Sequence, residues 1–128
     1  MTPADLALLL DEANHAPWES VRAALAMVDG QPHPRIGWLT MHLAETKRKY
    51  WAVLAEVTGC PTPPDDMGLT RLMSWEVEAV RALSPEALAL PQSYQERGTV
   101  ASLLRLNARH TVWHAGQIAA LTRQTRLA

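Results

Sequence analysis

The sequence predicts an all-α protein, a four-helix bundle forming a single domain over residues 1–128. Three observations predict it. Apolar residues recur at three- and four-residue spacing in four long stretches, the period of an amphipathic helix. Proline-rich and glycine-rich punctuation falls mainly between those stretches. No segment alternates apolar and polar residues for long enough to read as a strand. Four long helices bury their stripes by packing on one another, and 128 residues that are 48% hydrophobic supply enough core for that.

Each element has its own signal. Thr2-Pro3 opens the first helix, with Thr as N-cap and Pro at the first helical position. Leu6, Leu9, Leu10 and Ala13 follow as its stripe, and Asn14-His15-Ala16-Pro17 breaks it. A second helical piece runs from Trp18 to Val28, with Trp18, Val21, Leu25 and Val28 on one side and Gly30 placed to terminate it. The third stretch, about Arg35 to Thr58, carries Leu39, Leu43, Tyr50, Val53, Leu54 and Val57. Gly59 to Gly68 is a turn-rich connection. Leu69 to Leu83 is helical again through Leu72, Met73, Val77, Val80 and Leu83. Ser84-Pro85 starts a short turn toward Leu90, and 91–98 is a loop. The last helix, about Thr99 to Thr125, would span roughly 40 Å at 1.5 Å per residue.

Composition excludes several classes. The net charge of −1 gives no strong pull toward nucleic acid or an anionic membrane. The run Lys47-Arg48-Lys49 reads as a solvated helix face. One cysteine, Cys60, rules out an intrachain disulfide framework and suits a reducing compartment; beside Pro61 it reads as a loop residue. The opening residues lack the basic start of a secretory signal. No run of about 18 apolar residues occurs. The expectation is a cytoplasmic protein with neither nucleic-acid nor membrane partners. Apolar residues on the outward side of the first helix leave room for a homodimer.

The chemistry concentrates in His110-Thr-Val-Trp-His114-Ala-Gly-Gln117-Ile. Residues i and i+4 of a helix share a face one turn apart, so both imidazoles can reach one metal ion. Asn107 and Gln117 extend that polar stripe by a turn on either side, among apolar Leu103, Leu106, Val112, Ile118 and Leu121. A polar stripe inside a bundle is costly unless its groups are paired or bind something. A metal needs at least a third ligand, and His42, between Leu39 and Leu43 on the third helix, is the candidate. His15, beside a helix break, and His33, between two prolines, read as structural or exposed. Glu45, three residues after His42, could orient an imidazole or act as a base, or pair on the surface with Lys49. Trp38, Trp51 and Trp113 read as core and pocket wall, and Gly116 as a point where another helix approaches closely.

These strings resemble a family. His42-Leu-Ala-Glu45 with Tyr50-Trp51 following, and Arg109-His-Thr-Val-Trp-His-Ala-Gly-Gln-Ile118, are similar to the two signature helices of the DinB-like, YfiT-like metalloproteins. The resemblance extends over nearly the whole chain, and the C-terminal motif is its specific part. Trp113 stands where many members carry Tyr or His, and Thr111 where an acid is frequent. The resemblance implies an up-down-down-up bundle with a three-His centre of His42, His110 and His114. The 59–68 connection, roughly 35 Å when extended, permits that order and the alternating one alike.

Three imidazoles suit Zn²⁺, Ni²⁺ or Fe²⁺ better than the oxygen-seeking Mg²⁺ or Ca²⁺, and three protein ligands leave a position open. The resemblance implies an enzyme that transfers a small-molecule thiol to an electrophilic substrate, the thiol held as a metal-bound thiolate. The alternatives are a metal-dependent hydrolase using bound hydroxide and a non-catalytic metal-binding scaffold of the stress response. A transferase would need donors for the thiol near the metal, and Arg105 and Arg109 are close in sequence.

Overall fold

The computed structural model describes residues 1–28 and 33–127, with side chains through 123. It is all-helical: α1 (Pro3–His15), α2 (Val21–Ala26), α3 (Pro34–Thr58), α4 (Leu69–Arg81), a 3-10 turn (Glu86–Ala89) and α5 (Val100–Leu127). Among the described residues there are thus five α-helices, α2 being a six-residue piece beside four longer ones. Among the described residues there is no strand, only one isolated antiparallel bridge, Pro91 to Thr99. No described helix is long and apolar enough to cross a membrane. The Gly30 expectation lies outside the described residues.

Local chemistry sets the boundaries. Thr2 and Asp5 form a reciprocal capping box, Asp5 N–H donating to Thr2 Oγ1 at 3.1 Å and Thr2 N–H to Asp5 Oδ2 at 2.9 Å. α2 begins three residues later than its apolar pattern suggested. Glu19 takes a left-handed φ of 52°, which interrupts the helix, and Ser20 caps the new start by accepting from Ala23 N–H. Trp18 is thereby left outside the helix. His33 is half-buried and caps α3, its Nδ1 accepting from Arg35 N–H at 3.1 Å. α3 ends at Gly59, whose φ of 75° suits a residue without Cβ. Thr99 and Ser102 cap α5 reciprocally.

α1 packs against α4 and α5, α3 against α5 and α4, and α2 lies on α5. The apolar core falls into two clusters. One gathers Leu6, Leu10, Tyr50, Trp51, Leu54, Val80 and Leu103 with their neighbours. The other gathers Val21, Leu39, Leu43, Met73, Ala115 and Ile118. Each buried Leu, Ile or Val contributes roughly 1.5–3 kcal/mol of transfer free energy.

Between the two clusters in helix register lies a polar layer that sequence reading missed. Lys47 is not on a solvated face; its side chain is fully buried. Its Nζ donates to Glu76 Oε2 and, at 2.9 Å, to Asn107 Oδ1. Glu76, also fully buried, accepts three more bonds: from Asn14 Nδ2 (2.7 Å), Trp51 Nε1 (3.0 Å) and Asn107 Nδ2 (2.9 Å). α1, α3, α4 and α5 each send at least one polar side chain into this layer. A signal was present. Lys47 falls at helical spacing with Leu43, Tyr50 and Leu54, inside the stripe. Burial pulls the Lys47 ammonium below the usual lysine range, against the opposing pull of the Glu76 carboxylate. Of the run's other members, Arg48 donates to the carbonyls of Pro64 (3.0 Å) and Met67 (2.6 Å), tying the 59–68 connection to α3, and Lys49 is exposed.

Candidate metal centre

α5 is continuous through His110 and His114, so the two imidazoles stand one turn apart on one face. Their Nε2 atoms are 2.9 Å apart. α3 brings His42 to the same place. The ring centroids lie 5.2 Å (His42 to His110), 4.8 Å (His42 to His114) and 4.4 Å (His110 to His114) apart. One ligand nitrogen from each ring lies within 4.8 Å of the other two, and each residue is partly accessible. This cluster could hold a metal ion.

Hydrogen bonding defines which nitrogens face inward. Gln117 Oε1 lies 2.6 Å from His114 Nδ1. With that oxygen as acceptor, Nδ1 carries the proton and His114 Nε2 presents a lone pair. His110 Nε2–H then donates to that lone pair. Shifting this proton to His110 Nδ1 frees a second Nε2 lone pair while the ring stays neutral. His110 Nδ1 is buried with no hydrogen-bond partner among the described residues. The donor set fits a divalent transition metal: three neutral nitrogens, already convergent, with one ring locked in the required tautomer.

Electrostatics favour the neutral form of His110 and His42. His110 is lowered to about 4, first by burial and then by the charges of His114, His42 and Lys47. His42 is lowered by burial first and His114 second, with Glu45 acting in the opposite sense. A metal ligand must be deprotonated, so both shifts favour ligation.

The walls are aromatic. Trp38 stacks on His42 at 4.9 Å with an interplanar angle of 7°, and the Arg35 guanidinium covers the same indole at 4.5 Å. Tyr50 meets His110 edge-on at 6.2 Å and Tyr94 at 5.2 Å. Burial, then the neighbouring Tyr94 phenol, pushes Tyr50 up to about 12, so it stays protonated. Tyr94 rides on the 91–99 loop, which folds back on itself. Gln92 N–H donates to Gly98 C=O at 3.1 Å, and a Cβ on Gly98 would stand 2.7 Å from Gln95 Cβ. Sequence reading treated Tyr50 only as core and did not single out Tyr94, which a loop 16 residues before His110 carries.

The other expected site residues divide. Gln117 bonds His114 directly. Asn107 turns from the histidines into the buried layer, its side chain on Lys47 and Glu76. Thr111, next to His110 in the chain and fully buried, donates its hydroxyl to the Asn107 backbone carbonyl at 2.7 Å. Glu45 is exposed and reaches His42 through its charge alone; it forms no ion pair with Lys49. Trp51 is core. Trp113 is 70% exposed and lines a different groove, between α1 and α5, together with Arg105 and Arg109. Gly116 has nothing within 4 Å of where a Cβ would stand, so no close helix approach explains it. His15 bonds Asp11 at 2.8 Å, away from the cluster. Cys60 is half-buried at the end of α3.

Compared with models of known families, with curated proteins and with solved structures, the chain matches none of them. What this centre does is therefore argued from its own chemistry.

Proposed function

We propose that the chain is a DinB-like metalloprotein, an up-down-down-up bundle in which His42, His110 and His114 bind one divalent transition metal. The observation that carries this is the convergence of three imidazole nitrogens from two helices, with His114 oriented by Gln117. Zinc, nickel and iron all suit an all-imidazole set. Tetrahedral ligands at the usual zinc–nitrogen distance stand about 3.3 Å apart, a small adjustment from 2.9 Å between the paired rings.

The activity we propose is thiol transfer to a small electrophile. The ion would leave a coordination position for a thiol and hold its sulfur as thiolate. Trp38, stacked on His42, and Tyr94, half-exposed beyond Tyr50, would flank the reacting groups and limit water. Three neutral histidines leave the ion's charge undiminished, which favours thiolate over thiol. Hydrolysis has weaker support, because Glu45, the nearest candidate base, is exposed and hydrogen-bonds none of the three imidazoles. A scaffold would be supported by a coordinatively closed ion.

Metal analysis of untagged protein tests the centre, and thiol depletion against a panel of electrophiles tests the activity. About one equivalent of metal, with thiol consumed only by metal-loaded protein, is the expected result. One equivalent of metal with ester or amide cleavage and no thiol consumption would replace transfer by hydrolysis. No metal bound after reconstitution would remove the proposal altogether.

A further inference from the structure

The side of α5 away from the histidines carries a second feature. A groove of about 840 Å³ runs between α1 and α5. Trp18 (81% exposed) and Trp113 (70%) are the two most exposed large apolar side chains among the described residues, and both line it. Leu9 and Val112 contribute to its apolar floor. Isolated exposed apolar residues are ordinary, but two indoles converging on one groove mark an interaction surface.

The charges on its two walls indicate the partner. The α1 wall and the loop after it carry Glu12 and Glu19 together with Trp18; the α5 wall carries Arg105 and Arg109 together with Trp113. None of the four charges forms a salt bridge among the described residues. Glu19 sits at a left-handed φ of 52°, immediately after Trp18. Each wall thus offers one indole and two like charges, of opposite sign on the two sides. A two-fold axis lying along the groove places each wall on the opposite wall of an identical molecule. Acid then meets base twice, and each indole is covered by its counterpart's side of the groove.

We infer that this groove is the interface of a symmetric homodimer, with the Glu12/Glu19 wall of one protomer seated on the Arg105/Arg109 wall of the other. Isologous two-fold contacts are the commonest mode of self-association and need this kind of self-complementarity. Burial of the four indoles supplies the affinity, since tryptophan and arginine dominate such contacts. The rim charges select the orientation, because the alternative two-fold across the groove sets like charges against each other. The net charge of −1 opposes association only weakly.

Sedimentation velocity on the full chain tests this. Wild type at about 50 µM should be dimeric and should shift toward monomer as salt screens the rim. Arg105→Glu/Arg109→Glu and Glu12→Arg/Glu19→Arg should each raise the dissociation constant at least tenfold, on the order expected for like-charge contact. Mixed one to one, the two variants should form a heterodimer. Trp113→Ser should also dissociate the wild-type dimer, and circular dichroism on every variant reports the fold. Monomeric wild type at that concentration overturns the inference. So does a dimer that survives both charge reversals and Trp113→Ser, which would place the interface elsewhere. None of these readouts depends on metal.

Discussion

Lys47 donates to Glu76 in the middle of the bundle, with both side chains wholly shielded from water. Glu76 accepts four hydrogen bonds in all, from residues of α1, α3 and α5. The desolvation of two ions is offset only because the pair is close and its remaining valences are filled. Removing one partner strands the other. Lys47→Met and Glu76→Gln should each cost about 3–5 kcal/mol, the range for breaking a buried pair. Lys47→Met/Glu76→Gln together should cost clearly less than the sum, because no unpaired charge remains. Urea unfolding of the four proteins measures this cycle; simple additivity would contradict the coupling.

The imidazoles set a pH dependence. His110 has its folded value near 4, against about 6.5 for an ordinary imidazole. Above pH 6.5 it is neutral in both folded and unfolded chains, and its contribution is fully present. Between 6.5 and about 4 the unfolded chain takes up a proton that the folded chain refuses, so stability falls as the pH drops through that window. His42 acts in the same direction. Melting temperature of metal-free protein should therefore decline from pH 7 to 4, and His110→Gln should flatten that slope. A slope unchanged by the substitution would count against the assignment.

Replacing His114 by Ala should separate fold from site. Two of three nitrogens remain, so metal affinity should collapse, as should any activity that needs the ion. The bundle should persist, because its stability rests on two apolar clusters and the Lys47–Glu76 layer, none of which contains His114. Circular dichroism and a metal assay on one preparation check both halves. Outright unfolding would make the residue structural.

Gln117→Leu should weaken metal binding by roughly 10–100-fold, the usual effect of removing a group that orients a ligating histidine. Gln117 Oε1 fixes His114 in the tautomer whose Nε2 is available. Gln117→Glu, which keeps an acceptor at that point, should retain affinity. Isothermal titration with zinc separates the cases. Equal affinity in all three proteins would show that the Gln117 contact does not orient the ring.

The sequence by itself determined the elements and half of the site. Helical period is a local property, so α3, α4 and α5 could be located within two or three residues from their stripes alone. The pairing of His110 with His114 was equally local, since four residues of helix put two rings on one face. Tertiary structure decided the rest. Whether His42 joins that pair depends on how α3 packs on α5, across 68 residues of chain. Lys47 looked solvated because it sits in a basic run; it is buried because Glu76 and Asn107, 29 and 60 residues away, supply its partners. Asn107 was drawn from the site to that layer for the same reason. Trp113, read as core and pocket wall, and Trp18, read on the apolar side of the second helical piece, face outward: a left-handed Glu19 leaves Trp18 outside α2, and no described helix covers that groove. Short-range periodicity fixes which residues share a face, while burial of a charged group turns on long-range partners that local spacing does not encode.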